Sequence, residues 1–267
     1  MKTRYIKKCI LPIVALTLYA CTKVINVDLN NAAPQIVIEG IITNTPGPYQ
    51  VQITKTVNFS ETNTFPPVTG ATVKIVDNNG IITDILTETT PGIYTTHTIQ
   101  GIPGHTYQLD VTTGGQNYKA TSTMPLPVKL DSITFQYRDR LGTVDISNVP
   151  NYQDPAGIKN YYSFIQTINS RKIKTTNVFD DRLSDGKYIS LALRNDSTYI
   201  SFGDTVTVQM NCIDKSTYDY FYTLVQVSGG SNFRSSASPS NPVSNLSNNA
   251  LGYFAAYTTQ TRKTIAK

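Results

Sequence analysis

Hydrophobic and polar residues alternate along most of this chain, in short runs separated by turn residues. Runs such as Tyr49/Val51/Ile53 and Tyr107/Leu109/Val111 place an apolar side chain at every second position, which is the period of a half-buried strand. Pro-Gly, Asn-Gly and Gly-Gly pairs between the runs are typical of tight turns. The pattern therefore predicts an all-β protein.

About seven strands are predicted between residues 34 and 126, at the spacing of an immunoglobulin-like β-sandwich. The segment Gly101–Tyr107 resembles the corner of such domains, in which a tyrosine hydroxyl binds the backbone of the preceding turn. The sequence Met124-Pro125-Leu126-Pro127 disfavours both helix and sheet interior, so we predict a stiff junction there.

A second β-rich domain is predicted over residues 127–267, with six further strands and one helix. Tyr218, Phe221, Tyr222 and Val225 recur with helical spacing. Asp214 or Ser216 can cap the start of this helix, and Gly229-Gly230 can end it.

The first twenty residues have the arrangement of an export signal. A basic segment ending at Lys8 precedes the nine apolar residues 10–18, which are too few to span a bilayer as a helix. Leu18-Tyr19-Ala20-Cys21 then resembles a lipobox, in which Cys21 becomes acylated. We predict a lipoprotein signal peptide at 1–20, a tether at 21–33 and a membrane anchor at Cys21; the alternative is an ordinary signal peptide with a chance cysteine.

Removal of this leader changes the net charge of the chain and the number of its free cysteines. The leader contains four of the 23 Lys and Arg residues, so the mature chain has 19 of them against 18 Asp and Glu, a net charge of +1. This charge gives no support for nucleic-acid binding. Cys9 leaves with the leader and Cys21 carries the lipid. Cys212 then has no partner for a disulfide, and its alternating surroundings predict a buried structural thiol.

Candidate chemistry is sparse. Asp180, Asp181, Asp185 and Gly186 could form a calcium loop, but their spacing does not match an EF-hand, and a solvated β-turn is the preferred interpretation. His97 and His105 lack a marked third metal ligand. Because no catalytic or phosphate-binding motif is present, we predict a protein that is not an enzyme and has no metal or cofactor.

The residues predicted to contact a partner lie in the second domain. The segment Gly229–Asn249 is the longest predicted loop and carries Phe233 and Arg234, while Tyr152 and the Tyr161-Tyr162 pair lie elsewhere in the domain. Tyr, Phe and Arg are common in interaction hot spots. Alternatively, these aromatic residues stack on a sugar or pack in the core, and the loop is mobile without function; alternation puts Tyr161 and Tyr162 on opposite strand faces.

Several signatures, taken in order, resemble the Bacteroidota lipoproteins of domain-of-unknown-function family 4249. The resemblance implies an envelope lipoprotein, often found beside a TonB-dependent outer-membrane receptor, and it brings no catalytic residues. It leaves both the periplasmic and the surface face of the outer membrane open. A glycan-binding or glycan-processing envelope protein is the alternative. The signatures are Cys21 with Val27-Asp28-Leu29, Ile36–Gly40, Pro67–Val73, Asp154–Gly157 leading to Asn160-Tyr161-Tyr162, Asp180-Asp181, and Asn241-Pro242 with Asn245 and Leu251–Phe254.

Overall fold

The computed structural model describes residues 33–267 except 59–60, 63, 81, 141, 196–198 and 229–240. These residues form sixteen strands and one helix, so the predicted all-β class with a single helix is confirmed. The predicted leader and tether lie outside the described residues. The strands are β1 (Ile36–Thr43), β2 (Gln50–Lys55), β3 (Thr72–Asp77), β4 (Ile82–Ile85), β5 (Thr87–Thr90), β6 (Ile93–Thr95), β7 (Thr106–Thr113), β8 (Gln116–Thr123), β9 (Leu130–Arg140), β10 (Thr143–Gln153), β11 (Tyr161–Ile168), β12 (Arg171–Lys172), β13 (Asn177–Asp180), β14 (Tyr188–Ser190), β15 (Thr205–Ile213) and β16 (Leu251–Ile265).

One large sheet runs through the molecule and two smaller sheets pack on it. The large sheet has the order β12-β11-β15-β16-β1-β2-β6-β5, with β13 paired to β11, and the smaller sheets have the orders β4-β3-β7-β8 and β14-β10-β9. Strands β3, β7 and β8 of the first small sheet and β1, β2 and β6 of the large sheet enclose a core that includes Ile38, Ile53, Tyr94 and Leu109. The second small sheet covers a separate core on β11 and β15.

The last strand, β16, belongs to both halves of the fold. It pairs antiparallel with β15 and parallel with β1. Phe254 and Ala256 lie in the core of the first sandwich, although the sequence assigned this strand to the second domain alone. At Gly252, with φ of +94°, an added Cβ would lie 2.1 Å from the carbonyl oxygen of Ile38. Only glycine permits this approach, so the two ends of the described chain close the sandwich together.

The single helix, α1 (Lys215–Val227), begins where the sequence predicted. Its N-cap is Asp214, whose carboxylate accepts a hydrogen bond from the Thr217 backbone N–H at 2.9 Å. Alternation along β16 directs Phe254 and Ala256 to one face of the large sheet and Ala255 and Tyr257 to the other, where α1 packs. Among the described residues, no helix combines the length and the apolar character needed to cross a membrane.

The sequence from Tyr94 to Ile99 predicts one strand over its whole length, but β6 ends at Thr95. The buried carboxylate of Asp84 accepts hydrogen bonds from the backbone N–H groups of His97, Thr98 and Ile99 at 2.6–2.9 Å. Burial would raise the pKa of Asp84, but these donors outweigh it and hold the pKa below its usual value. Because these N–H groups donate to the Asp84 side chain, they cannot donate to a neighbouring strand, and β6 ends at Thr95.

The predicted tyrosine corner is present. Tyr107 is fully buried, and its hydroxyl accepts a hydrogen bond from the Ile102 backbone N–H at 2.7 Å and contacts the Gln100 carbonyl at 3.4 Å. The hydroxyl thus fixes the turn before β7.

Replacement of Tyr107 by phenylalanine tests this corner. Tyr107→Phe leaves the Ile102 N–H without its acceptor, so we expect the free energy of unfolding to fall by about 1–2 kcal/mol, measured by denaturant titration. Tyr118→Phe is the control, because Tyr118 is a half-buried tyrosine of β8 that packs against the same core but lies outside the corner. Equal losses in the two variants would contradict the proposed contribution of the corner.

A carboxylate cluster between two facing turns

Two turns of the second half face one another, and we call residues 154–160 and 180–187 the turn pair. The first turn connects β10 to β11, and the second connects β13 to β14. Gln153 pairs with Tyr188 at one end and Tyr161 pairs with Asp180 at the other. Strand register therefore fixes both turns at both ends.

Asp154 connects β11 to the second turn. Its carboxylate is buried, accepts the Tyr162 hydroxyl at 2.5 Å through Oδ1, and accepts the Gly186 backbone N–H at 3.0 Å through Oδ2. Burial, followed by the hydrogen bond to Asp154, raises the pKa of Tyr162, so the hydroxyl remains a donor at neutral pH. The buried charge of Asp154 is therefore held by two donors.

Asp181 and Asp185 make the reciprocal contacts from the second turn to the first. Asp181 is buried and accepts hydrogen bonds from the Asn160 backbone N–H at 2.6 Å and from the Lys159 ammonium. Asp185 is exposed and accepts from the Gly157 backbone N–H at 2.8 Å. One carboxylate oxygen from each of Asp154, Asp181 and Asp185 lies within 4.8 Å of the others. We call these three groups the carboxylate cluster.

The neighbouring Asp180 faces a different set of groups. Its Oδ2 lies 2.7 Å from Arg182 Nε and accepts the Tyr218 hydroxyl of α1 at 3.1 Å. Burial would raise the pKa of Asp180, but the contacts with Arg182 and Tyr218 outweigh it and lower that pKa. Asp180 thereby ties the second turn to the helix.

The turn pair carries exposed apolar and basic side chains. Leu183 is 90% exposed and Ile158 is 56% exposed. In the sequence, Ile158 stands between Gly157 and Lys159, and both of these residues form hydrogen bonds with the second turn. Leu183 stands in the second turn, between the acceptors of those two hydrogen bonds, Asp181 and Asp185. Lys159 and Arg182 flank these two side chains along the chain, with 48% and 68% of their own side chains exposed.

The structure corrects one prediction about these turns and adds a residue that the sequence reasoning missed. Asp181 is not part of a merely solvated β-turn, because its carboxylate is buried. Asp154 joins the other acids although it is distant from them in sequence, because the pairing of β10 with β14 brings it close. The short Asp154-Pro155-Ala156-Gly157 segment, a turn motif directly after a strand, is the one sequence signal that points to it.

The predicted partner-binding residues have different outcomes. Tyr152 is 3% exposed, and its ring packs at 4.8 Å between centroids from Tyr162, so the prediction that it contacts a partner is wrong. Tyr162 is buried and Tyr161 is half-buried, as alternation predicted. Phe233, Arg234 and the lipidation residue Cys21 lie outside the described residues.

Part of the predicted loop at 229–249 is held against the first sandwich. The Asn245 side chain donates to the Phe254 carbonyl at 2.7 Å and accepts from the Phe254 N–H at 3.0 Å. The Ser247 N–H donates to the Lys119 carbonyl of β8 at 2.8 Å. Residues 241–249 are therefore a fixed connection.

The remaining chemical candidates have structural partners. The His97 ring contacts the Thr87 hydroxyl at 2.8 Å, and His105 Nδ1 lies 2.9 Å from the buried carboxylate of Asp77. Cys212 is buried among Val206, Val208 and Met210, which confirms the predicted structural thiol, and burial raises its pKa. Within the described ranges, the carboxylate cluster is the only group of three side chains of metal-ligand type.

This architecture defines a class of two-core β-sandwich proteins whose halves share one continuous sheet. Within it, the chain belongs to the family called Domain of unknown function (DUF4249), whose model matches residues 22–263. The resemblance found in the sequence is thereby confirmed. A comparison with curated proteins gave no match.

Two glycines test how closely the turns pack. Gly186 has φ of +69°, and an added Cβ would lie 2.8 Å from the Ala156 Cβ; Gly157 has φ of +75°, and a Cβ added there would have no atom within 4 Å. Gly157→Ala should lower the free energy of unfolding by about 1–2 kcal/mol through backbone strain alone. Gly186→Ala should cost about 1–3 kcal/mol more, because it also overpacks the interface between the turns.

Denaturant titration of both variants measures this difference. Equal destabilisation by Gly157→Ala and Gly186→Ala would mean that contact between the turns contributes nothing measurable.

Proposed function

We propose that this protein is an envelope lipoprotein, anchored to the outer membrane through Cys21, that serves as a non-catalytic binding partner of a TonB-dependent outer-membrane transporter. The leader and lipobox support the anchor. Family membership supports the association through the resemblance described above. The observation that carries a binding role is the exposed Leu183 on a turn whose ends are fixed by strand pairing.

The turn pair has the features of an interaction surface. Exposed aliphatic side chains release water when they are covered, and the flanking Lys159 and Arg182 can pair with acidic groups of a partner. The hydrogen bonds of Asp154 and Asp181 already order the backbone of both turns. A partner that binds there therefore avoids much of the entropy cost of ordering a loop.

The arrangement of the acids supports a non-catalytic role. Glycoside hydrolases use two carboxylates that flank a substrate, about 5–9.5 Å apart. Here Asp154 and Asp181 are buried between the turns, and each is already bonded to donors from the chain. In these contacts, the two carboxylates fix the backbone of the turns.

Glycan binding is the second candidate, and one observation favours it. Tyr137 and Phe202 are 46% and 65% exposed, and their rings stack with centroids 5.9 Å apart. Exposed aromatic rings of this kind can pack against the apolar face of a sugar. The aliphatic and basic turn pair is better suited to a protein surface, so we favour the transporter partner.

The anchor is tested by metabolic labelling with radioactive palmitate. The full-length protein should incorporate label, and Cys21→Ser should remove it, because only a thiol forms the thioether to the lipid. Cys212→Ser is the matched control and should keep its label, since Cys212 is buried. Label that persists in Cys21→Ser, or its absence from the unaltered protein, would refute lipidation at this residue.

The binding surface is tested by affinity purification from cross-linked envelopes. Leu183→Glu replaces an exposed apolar side chain by a charge, so we expect recovery of the transporter to fall about tenfold, the effect of losing ~1.4 kcal/mol of binding energy. Ile85→Glu is the control, because Ile85 is 65% exposed on β4, in the other small sheet. Undiminished recovery with Leu183→Glu, or capture without any outer-membrane transporter, would contradict the proposal.

A further inference from the structure

A buried acceptor in the turn pair, outside the carboxylate cluster itself, has no donor among the described residues. Asn160 lies in the turn pair, where its backbone N–H donates to Asp181 and its carbonyl accepts the Asp181 N–H at 3.3 Å. Its side chain is 8% exposed, and its Oδ1 has no hydrogen-bond partner in the described part of the chain. A buried amide oxygen without a donor is costly unless a cation or a water molecule binds it.

The direction of the Asn160 side chain follows from β11. Tyr162 and Phe164, which are two residues apart on this strand, are both buried in the second core. Asn160 lies two residues before Tyr162, so the alternation of the strand extends to it. The hydroxyl of Tyr162 on this face reaches Asp154. Alternation thus assigns the Asn160 side chain to the face of the strand from which Tyr162 reaches the cluster, while the Asn160 backbone N–H binds Asp181.

We propose that Asp154, Asp181, Asp185 and the Asn160 side chain form a calcium-binding site that joins the two turns. Hard cations such as Ca²⁺ take carboxylate and amide oxygens. The inference goes beyond the proposed function and does not depend on it, because it concerns what holds the turn pair together.

The spacing of the oxygens fits a calcium ion. Ca²⁺ binds oxygen at about 2.3–2.6 Å, so ligands on opposite sides of the ion lie up to about 4.6–5.2 Å apart, whereas the limit for Mg²⁺ is about 4.0–4.2 Å. The cluster oxygens, which lie within 4.8 Å of one another, fit the calcium range without contraction of the turns.

The charges also fit. Three carboxylates carry a charge of −3, and Lys159 compensates one unit through Asp181. One divalent ion makes the group neutral, whereas without it two negative charges face each other with only neutral donors. Each carboxylate oxygen that accepts a donor from the chain retains a lone pair for a metal. The hydrogen bonds and a bound ion are therefore compatible.

Direct binding to the full-length protein in detergent is the primary test. Isothermal titration with Ca²⁺ should show one saturable site with Kd on the order of 10⁻⁴ M, in the range of extracellular calcium modules. Terbium, a luminescent calcium substitute, should be sensitised by Tyr162 and displaced by Ca²⁺. Absence of saturable Ca²⁺ binding, or equal binding of Mg²⁺, would overturn the proposal and would indicate that water satisfies Asn160.

Matched variants separate a ligand from a general charge effect. Asp185→Asn retains an acceptor for Gly157 but removes one charge, so Kd for Ca²⁺ should rise at least about tenfold. Asp139→Asn makes the same change in another exposed turn, where the carboxylate accepts the Gly142 N–H at 2.9 Å, and it should leave Kd unchanged. An equal effect of the two substitutions would refute the site.

Two further variants have opposite expected effects. Asn160→Ala removes a neutral ligand and should weaken Ca²⁺ binding, whereas Lys159→Gln removes a nearby positive charge and should tighten it. Destabilisation of the turn pair alone would weaken binding in both. Unchanged affinity in Asn160→Ala, or weaker binding in Lys159→Gln, would contradict the assignment. Transporter capture is not a readout in any of these measurements, so the result is independent of the proposed function.

Discussion

The pairing of the last strand with both β15 and β1 is the constraint on which the rest of the structure depends. β16 has fifteen residues and lies in the middle of the large sheet, so it contributes backbone hydrogen bonds to both neighbours. Its contact with β1 pairs Val37 with Leu251, residues that are more than 200 positions apart in the sequence. Such non-local pairing gains little until most of the chain is ordered, which couples the two cores in one cooperative structure.

The same strand explains how two faces of the sheet acquire different roles. Phe254 on one face completes the first core, while Ala255 and Tyr257 on the other face pack under α1. The turn pair, by contrast, presents side chains outward on a backbone whose four ends are strand residues in register.

Buried charge is what makes the turn pair rigid. Asp154 and Asp181 would be destabilising if they were unpaired, but Tyr162, Lys159 and backbone N–H groups surround them. Their side chains take the place of a continuous β-ladder between the turns. The exposed Leu183 and Ile158 lie on these two turns, and the same polar contacts fix the backbone that carries them.

The sequence alone determined the all-β class, the helix that contains Tyr218 and Val225, the burial of Cys212 and the tyrosine corner at Tyr107, because each depends on local periodicity or on residues close along the chain. It left Asp214 and Ser216 as alternative N-caps of the helix, and the structure identified Asp214. Tertiary structure decided what depends on distant partners. Asp84 ends β6 at Thr95 because its carboxylate binds backbone N–H groups of another segment. Tyr152 is of a residue type common in protein interfaces, but it is buried because β10 packs over β11. The grouping of Asp154 with Asp181 follows from strand register, which alternation of residue types cannot specify across so long a separation.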